Sequence, residues 1–476
     1  MNHLTSAHRT LSARVFKAIG IFGSAEGLAM VCSVVRTKLV ALWIGAAGVG
    51  LFGLFNSVVE MLGALTQSGV RNSAVREIAA ANDYDKKVNA AVSGRRLGIR
   101  LGILIGTACA LLSPLFSLIS FGGYGYWWAF ACLGIALLIN SVTAMESGIL
   151  QGFNRLQGIA KASVSGSLLA LTVSVPILYI WRMDGIVPVI LAYSVCIGCA
   201  YWWQRVRGIK AKKELSSHNK PMMGIMLRFG IYLTVSGFVL WIVNYILLSV
   251  VNNMGGEADM GYYQCGYTLI IRYMGVVFSA IGMEFFPRLS SAVGKGMSRG
   301  FPYVNHEIFV VLNIVVPMGA VLAALAPFVI RLLYSASFLA AVPFVVFALV
   351  SCGFRCASWC IGFMIVAKGD GKLYMWVEAI SGLCCLIFSL SGYMLFGIAG
   401  LGYAYILWYA VYLMMVYAVC YRKYGYRIGI KTGMAIVSYT FALLAVVLLS
   451  MYVSWWVALC AATILSGLCL RFLLRR

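Results

Sequence analysis

Charge is scarce in this sequence, at 11% of 476 residues, and acid is scarcer still: 14 Asp and Glu stand against 37 Lys and Arg. With 62% hydrophobic residues beside so few charges, the chain could not give a soluble fold a polar surface, so a soluble protein is excluded. Histidine is nearly absent. The four, His3, His8, His218 and His306, fall outside the apolar runs or at their ends, which excludes a histidine proton relay at membrane depth. No Walker A loop or nucleotide-binding domain occurs, so ATP hydrolysis by this polypeptide is excluded. Long loops are missing on the side poor in bases, where the longest connection is roughly "VNNMGGEADMG". That leaves no room there for a catalytic domain.

What the sequence has in abundance is apolar runs. About fourteen, each of roughly 20 residues or more, recur between residues 17 and 473 and predict an all-α integral membrane protein. Its 37 Lys and Arg fall mostly at the two ends and in every second loop, as in "REIAAANDYDKKVNAAVSGRR" and "YRKYGYRIGIK". The alternate loops carry Arg182 and almost no other base. The positive-inside rule therefore places both termini in the cytoplasm, in keeping with an even number of spans. The same pattern makes the net charge of +23 a matter of topology, with no nucleic-acid partner implied. A cleaved signal peptide does not fit either, because the first apolar stretch runs past Glu26 to Arg36 and Lys38 without a cleavage site. The 14 Cys lie almost all within spans and read as small apolar packers. Cys352, Cys356 and Cys360 share a helical stripe, but no His or acid is near in sequence, so no metal site is expected.

An internal repeat organises the chain. "AGVGLFGLFNSVVEMLG" from Ala47 aligns with "ADMGYYQCGYTLIIRYMG" from Ala258, and "LSPLFSLIS" around Pro114 with "LAPFVIRLL" around Pro327. The turn "QGFNR" at 151–155 aligns with "KGDGK" at 368–372, and "GIVPVILAY" from Gly185 with "GIAGLGYAY" from Gly397. These matches, in one order, predict two parallel six-helix repeats: an N-lobe over 1–210 and a C-lobe over 228–425. A basic cytoplasmic linker, 211–227, joins them. Two further helices in 426–476 lie outside the duplication and are split at Ser454. Copies of one orientation are related by an axis along the membrane normal, with a substrate cavity expected between them.

Polar residues at membrane depth are where such a sequence shows its chemistry, since a charge at the midplane costs roughly 2.5–3.5 kcal/mol on insertion scales. Arg36 and Lys38 lie about two thirds of the way along the first span, and Arg272 and Arg355 near the middle of spans eight and ten. Of the acids Glu26, Glu60, Glu146, Glu284 and Glu378, only Glu60 is near mid-depth. Cations therefore outnumber anions there. One reading makes these structural pairs, with Glu60 meeting Arg272 across the repeat. The other makes Arg36, Lys38, Arg272 and Arg355 a cationic cavity for an anionic headgroup, because a guanidinium fork matches phosphate oxygens. Glu26, Glu60 and Glu146 remain candidates for ion coupling or charge pairing. No catalytic residue and no cofactor is implied.

Residues 34–80, "VVRTKLVALWIGAAGVGLFGLFNSVVEMLGALTQSGVRNSAVREIAA", resemble the opening helices of Wzx-type polysaccharide flippases. The shared features are Lys38 and Leu39, the turn around Gly45, Gly48 and Gly50, and "GVRN" before a basic helix. With the sixfold duplication, the whole chain resembles the polysaccharide transport branch of the multidrug/oligosaccharidyl-lipid/polysaccharide (MOP) exporter superfamily, whose folds are MATE-like. The resemblance implies translocation of an undecaprenyl-pyrophosphate-linked oligosaccharide, such as an O-antigen or capsule unit, from the cytoplasmic to the periplasmic leaflet. It implies lobes that rock between inward-open and outward-open states, and work beside a polysaccharide polymerase and chain-length machinery. The two C-terminal helices are similar to those that form a lipid-tail groove in lipid II flippases. Two other functions compete. An ion-coupled drug or metabolite cation antiporter would need an acidic site, and a membrane O-antigen polymerase or ligase would need the large outer loop that is missing.

Overall fold

The computed structural model describes residues 25–81, 83–206 and 219–474, and every regular element in them is helical. Helix α1 covers 25–43. It is followed by α2 (Ala46–Ala80), α3 (Tyr84–Leu111), α4 (Ser113–Phe121), α5 (Trp127–Gly152), α6 (Leu156–Trp181) and α7 (Ile186–Gln204). The second series is α8 (Asn219–Tyr267), α9 (Met274–Gly294), α10 (Met297–Ala324), α11 (Ala326–Leu333), α12 (Val342–Val350), α13 (Cys352–Lys368) and α14 (Gly371–Tyr424). Helices α15 (Ile430–Tyr452) and α16 (Trp455–Leu474) follow, parted at Val453 and Ser454 as the sequence predicts.

Three apolar helical stretches, Leu156–Gln204, Phe238–Gly294 and Gly371–Tyr424, run for 49, 57 and 54 residues, more than twice what one crossing takes. Each breaks within: at the tight turn Arg182–Gly185, at Gly256 and at Gly397. Two bent pairs, Tyr84–Leu111 with Ser113–Phe121 (54°) and Ala336–Val350 with Cys352–Lys368 (48°), each make one broken span. Counted with the remaining helices, these give about fourteen crossings.

The duplication is written into the backbone. Gly45, just before α2, has φ 88° and ψ −161°, and Gly256, at the matching point of the second copy, has φ 81° and ψ −178°. Side chains rarely adopt that conformation, so the same reversal is made twice with glycine. Leu112 (φ −86°, ψ 2°) and Leu325 (φ −98°, ψ 7°) bend the two copies alike, and Pro114 and Pro327 open the short helices that follow. The other two matches shift. Of the aligned turns, the first has its left-handed residue at Asn154 and the second at Gly369, which are different positions of the five. The reversal at Gly397 (φ 59°, ψ −143°) is matched by Arg182 (φ 45°, ψ −114°), three residues ahead of the aligned Gly185.

The chain divides into two compact units, Met1–Tyr245 and Ile246–Arg476, and the division falls inside α8. Of the linker 211–227, residues 211–218 lie outside those described, and α8 begins at Asn219. In the first unit α5 packs on α2, α3 and α7. Lipid gives apolar helices no hydrophobic reason to associate, so close backbone approach does the work. Gly98, Gly102 and Gly106 on α3 allow it: a Cβ on Gly106 would stand 2.6 Å from the carbonyl oxygen of Gly134, and Ser141 donates to the Gly98 carbonyl at 2.8 Å. In the second unit α10 carries α13, α15 and α16, and Tyr439 on α15 donates to Asn313 on α10 at 2.7 Å. All fourteen cysteines are free, and Cys352, Cys356 and Cys360 are buried in this packing. At the α13–α14 turn, Asp370 accepts from Tyr424 and pairs with Lys423 at 3.2 Å. The Tyr424 phenol, and after it Lys423, hold this carboxyl below its ordinary range.

Candidate functional site

In α1 the stripe Cys32, Arg36 and Val40 is buried, which turns Arg36 inward at i, i+4 spacing. Its guanidinium lies 4.3 Å from the ring centre of Tyr193 and 5.3 Å from that of Phe52, and its Nε is buried with no acceptor among the described residues. Cation–π contact of this kind offsets part of the cost of a buried charge. Lys38, two residues on, is half-buried.

Tyr193 also lines a polar pocket of about 530 Å³ within the first unit. Glu26 and Arg71 supply its charges, and Asn140, Thr143, Ser147, Ser163 and Ser167 its neutral polar groups. Arg71 donates through Nη2 to Gln151 Oε1 at 3.0 Å, while its Nε is buried with no acceptor. Glu26 thus lines this pocket. Glu146 does not line it. Its carboxylate is held at two points by Arg95, one of them an Nη2–Oε2 contact of 2.9 Å, and it faces a separate apolar groove of about 620 Å³ beside Val142 and Trp202. Glu146 is thus seen in an ion pair with Arg95.

In the second unit the chain winds as a π-helix over Thr268–Tyr273, between α8 and α9. Single π turns are rare and cluster at functional sites. Arg272 falls in this turn with an exposed side chain. Arg355, on α13, donates through Nη1 to the Ile270 carbonyl at 2.9 Å, and its guanidinium lies 4.6 Å from the Phe278 ring centre and 5.7 Å from that of Tyr409. The structure therefore brings Arg355 to the turn that carries Arg272. Glu60 is half-buried in α2 of the first unit.

Sequence reasoning passed over three features. Arg71 was legible in "GVRN", and the pocket's stripes Asn140, Thr143, Ser147 and Ser163, Ser167 follow helical spacing. The third is a contact: buried Glu378, already named among the acids of the spans, accepts from Tyr412 at 2.5 Å, and the pairing left no local signal because Tyr412 is on the far half of α14.

About fourteen crossings, a repeated helical plan and a guanidinium buried at membrane depth define a polytopic, all-α membrane protein. The chain belongs to the polysaccharide biosynthesis protein family, whose match covers residues 40–343. The lipid III flippase of Escherichia coli (strain K12) is 22% identical over 392 residues, covering 79% of this chain and 91% of that protein. Among solved structures, an inward-facing multidrug resistance MATE family transporter of the MOP superfamily matches with TM-score 0.69 and 16% identity, covering 87% of this chain and 95% of that one. The lipid II flippase MurJ in an inward closed conformation matches with TM-score 0.66 and 13% identity, over 95% of this chain and 98% of that one. These two likenesses bear on the fold.

Proposed function

We propose that this protein is a flippase that moves an undecaprenyl-pyrophosphate-linked oligosaccharide from the cytoplasmic to the periplasmic leaflet by alternating access. The observation that carries the reading is Arg36: a guanidinium buried at membrane depth with an Nε that has no acceptor. Such a group is costly until a ligand supplies an anion, and a diphosphate does so with several oxygens. Arg355 and Arg272, gathered at the π turn of the second repeat, are its proposed counterparts, and Lys38 stands beside Arg36. The family match and the likeness to the lipid III flippase support a lipid-linked precursor as cargo. The polyprenyl tail stays in lipid while the head crosses, and the product would pass to a polysaccharide polymerase and its chain-length partners.

The test is movement of the lipid-linked oligosaccharide between leaflets of liposomes holding purified protein. Arg36→Ala, Arg272→Ala and Arg355→Ala are each expected to lower the rate at least tenfold with insertion intact, and Lys at each position to rescue it only in part. Unchanged rates in all three would defeat the cationic-site reading. One observation favours a second reading, an ion-coupled cation antiporter: buried Glu378 accepts from Tyr412, and among the described residues no ion pair neutralises it. Proton- or sodium-driven export of a small cation, with no lipid movement, would establish that reading instead.

A further inference from the structure

We infer that the polar pocket of the first unit is a glycan subsite, which takes a neutral sugar residue of the cargo with Arg71 as its buried donor. The inference rests on the flippase reading and adds to it the class of group bound and the place that binds it.

Three observations carry it. First, the lining has little net charge: Glu26 and Arg71 oppose one another, and the remaining polar groups are amide and hydroxyls. A pocket for a drug cation would be acidic and one for diphosphate basic. Neutral groups that both donate and accept suit a polyhydroxylated ligand instead. Second, the neutral groups are arranged in rows. Asn140, Thr143 and Ser147 follow i, i+3, i+7 spacing on α5, and Ser163 and Ser167 follow i, i+4 on α6, so two polar stripes face one cavity. Thr143 spends its proton on the Ile139 carbonyl at 2.8 Å and so presents an acceptor. Third, Arg71 has one terminal nitrogen on Gln151, while its Nε is buried without an acceptor. A sugar hydroxyl or acetamido oxygen would satisfy it. At about 530 Å³ the cavity is in the size range of small-molecule sites. Tyr193 is among its lining residues and has the Arg36 guanidinium 4.3 Å from its ring centre, so a sugar here would lie near the proposed diphosphate donor.

The experiment compares two cargoes in the liposome assay: undecaprenyl pyrophosphate carrying an oligosaccharide, and undecaprenyl pyrophosphate with no sugar. Ser167→Leu fills the pocket, and Arg71→Lys keeps the charge while removing the Nε donor. Each is expected to slow the glycosylated cargo about tenfold and leave the sugar-free one unchanged, with Ser163→Leu held in reserve should Ser167→Leu fail to insert. Equal slowing of both cargoes, or no slowing of either, would overturn the subsite. Wild-type protein that moves neither cargo would instead refute the flippase reading on which it stands.

Discussion

Arg36 and Glu146 show how differently one membrane charge can be accommodated. Among the described residues Arg36 has rings in place of a counterion, whereas Glu146 has a two-point partner in Arg95. A buried pair is costly to break, because the remaining charge is left without compensation. Glu146→Ala is therefore expected to destabilise the protein by about 3–5 kcal/mol. The Glu146→Ala/Arg95→Ala double variant should recover much of that, and thermal unfolding in detergent would measure both. Strictly additive losses would mean that the pair is not coupled. Sequence reading found Glu146 and missed its partner for a plain reason. Arg95 belongs to the basic stretch that folds into the first turns of α3, 51 residues away, and no periodicity links positions on two different helices.

Helix breaks were the most legible elements. Proline at 114 and 327 was read directly, and the matched segments from Ala47 and Ala258 begin two residues past the glycines at 45 and 256, whose backbone conformation few other residues adopt. Where one copy makes its left-handed residue without glycine, the alignment drifted, as it did at Arg182 against Gly397 and at Asn154 against Gly369. The π turn was not legible at all, since widening a helix by one residue changes neither hydropathy nor composition. It does change which way Arg272 faces, because one extra residue rotates everything after it by about 100°. Deleting Thr268 should restore an α-helix, turn Arg272 away and separate Ile270 from Arg355. The expected result is loss of lipid movement of at least tenfold in a protein that still inserts and melts near the wild-type temperature. Retained movement would remove the π turn from the mechanism.

For the whole molecule, direction of transport depends on which way the bundle sits, and the sequence speaks to that through its bases. Arg155 lies at the α5–α6 turn, Lys368 and Lys372 flank the α13–α14 turn, and Arg422, Lys423, Arg427 and Lys431 surround the α14–α15 turn. The α4–α5 connection, with Gly122, Gly123 and Gly125, carries none. Positive loops resist translocation, so these two groups of turns should face opposite sides, the basic one inward. Cysteine placed at Asn154 or Gly371 is expected to react with a membrane-impermeant maleimide only after the cells are opened, and cysteine at Gly123 in intact cells. Exposed Cys199 and Cys460 would first be changed to Ser, to clear the background. The reverse pattern would place the Arg71 pocket's end of the first unit outside, since Arg71 bonds Gln151 beside the α5–α6 turn. A glycan loaded from the cytoplasm could not then enter it from that end, and the proposed cycle would have to run in the opposite sense.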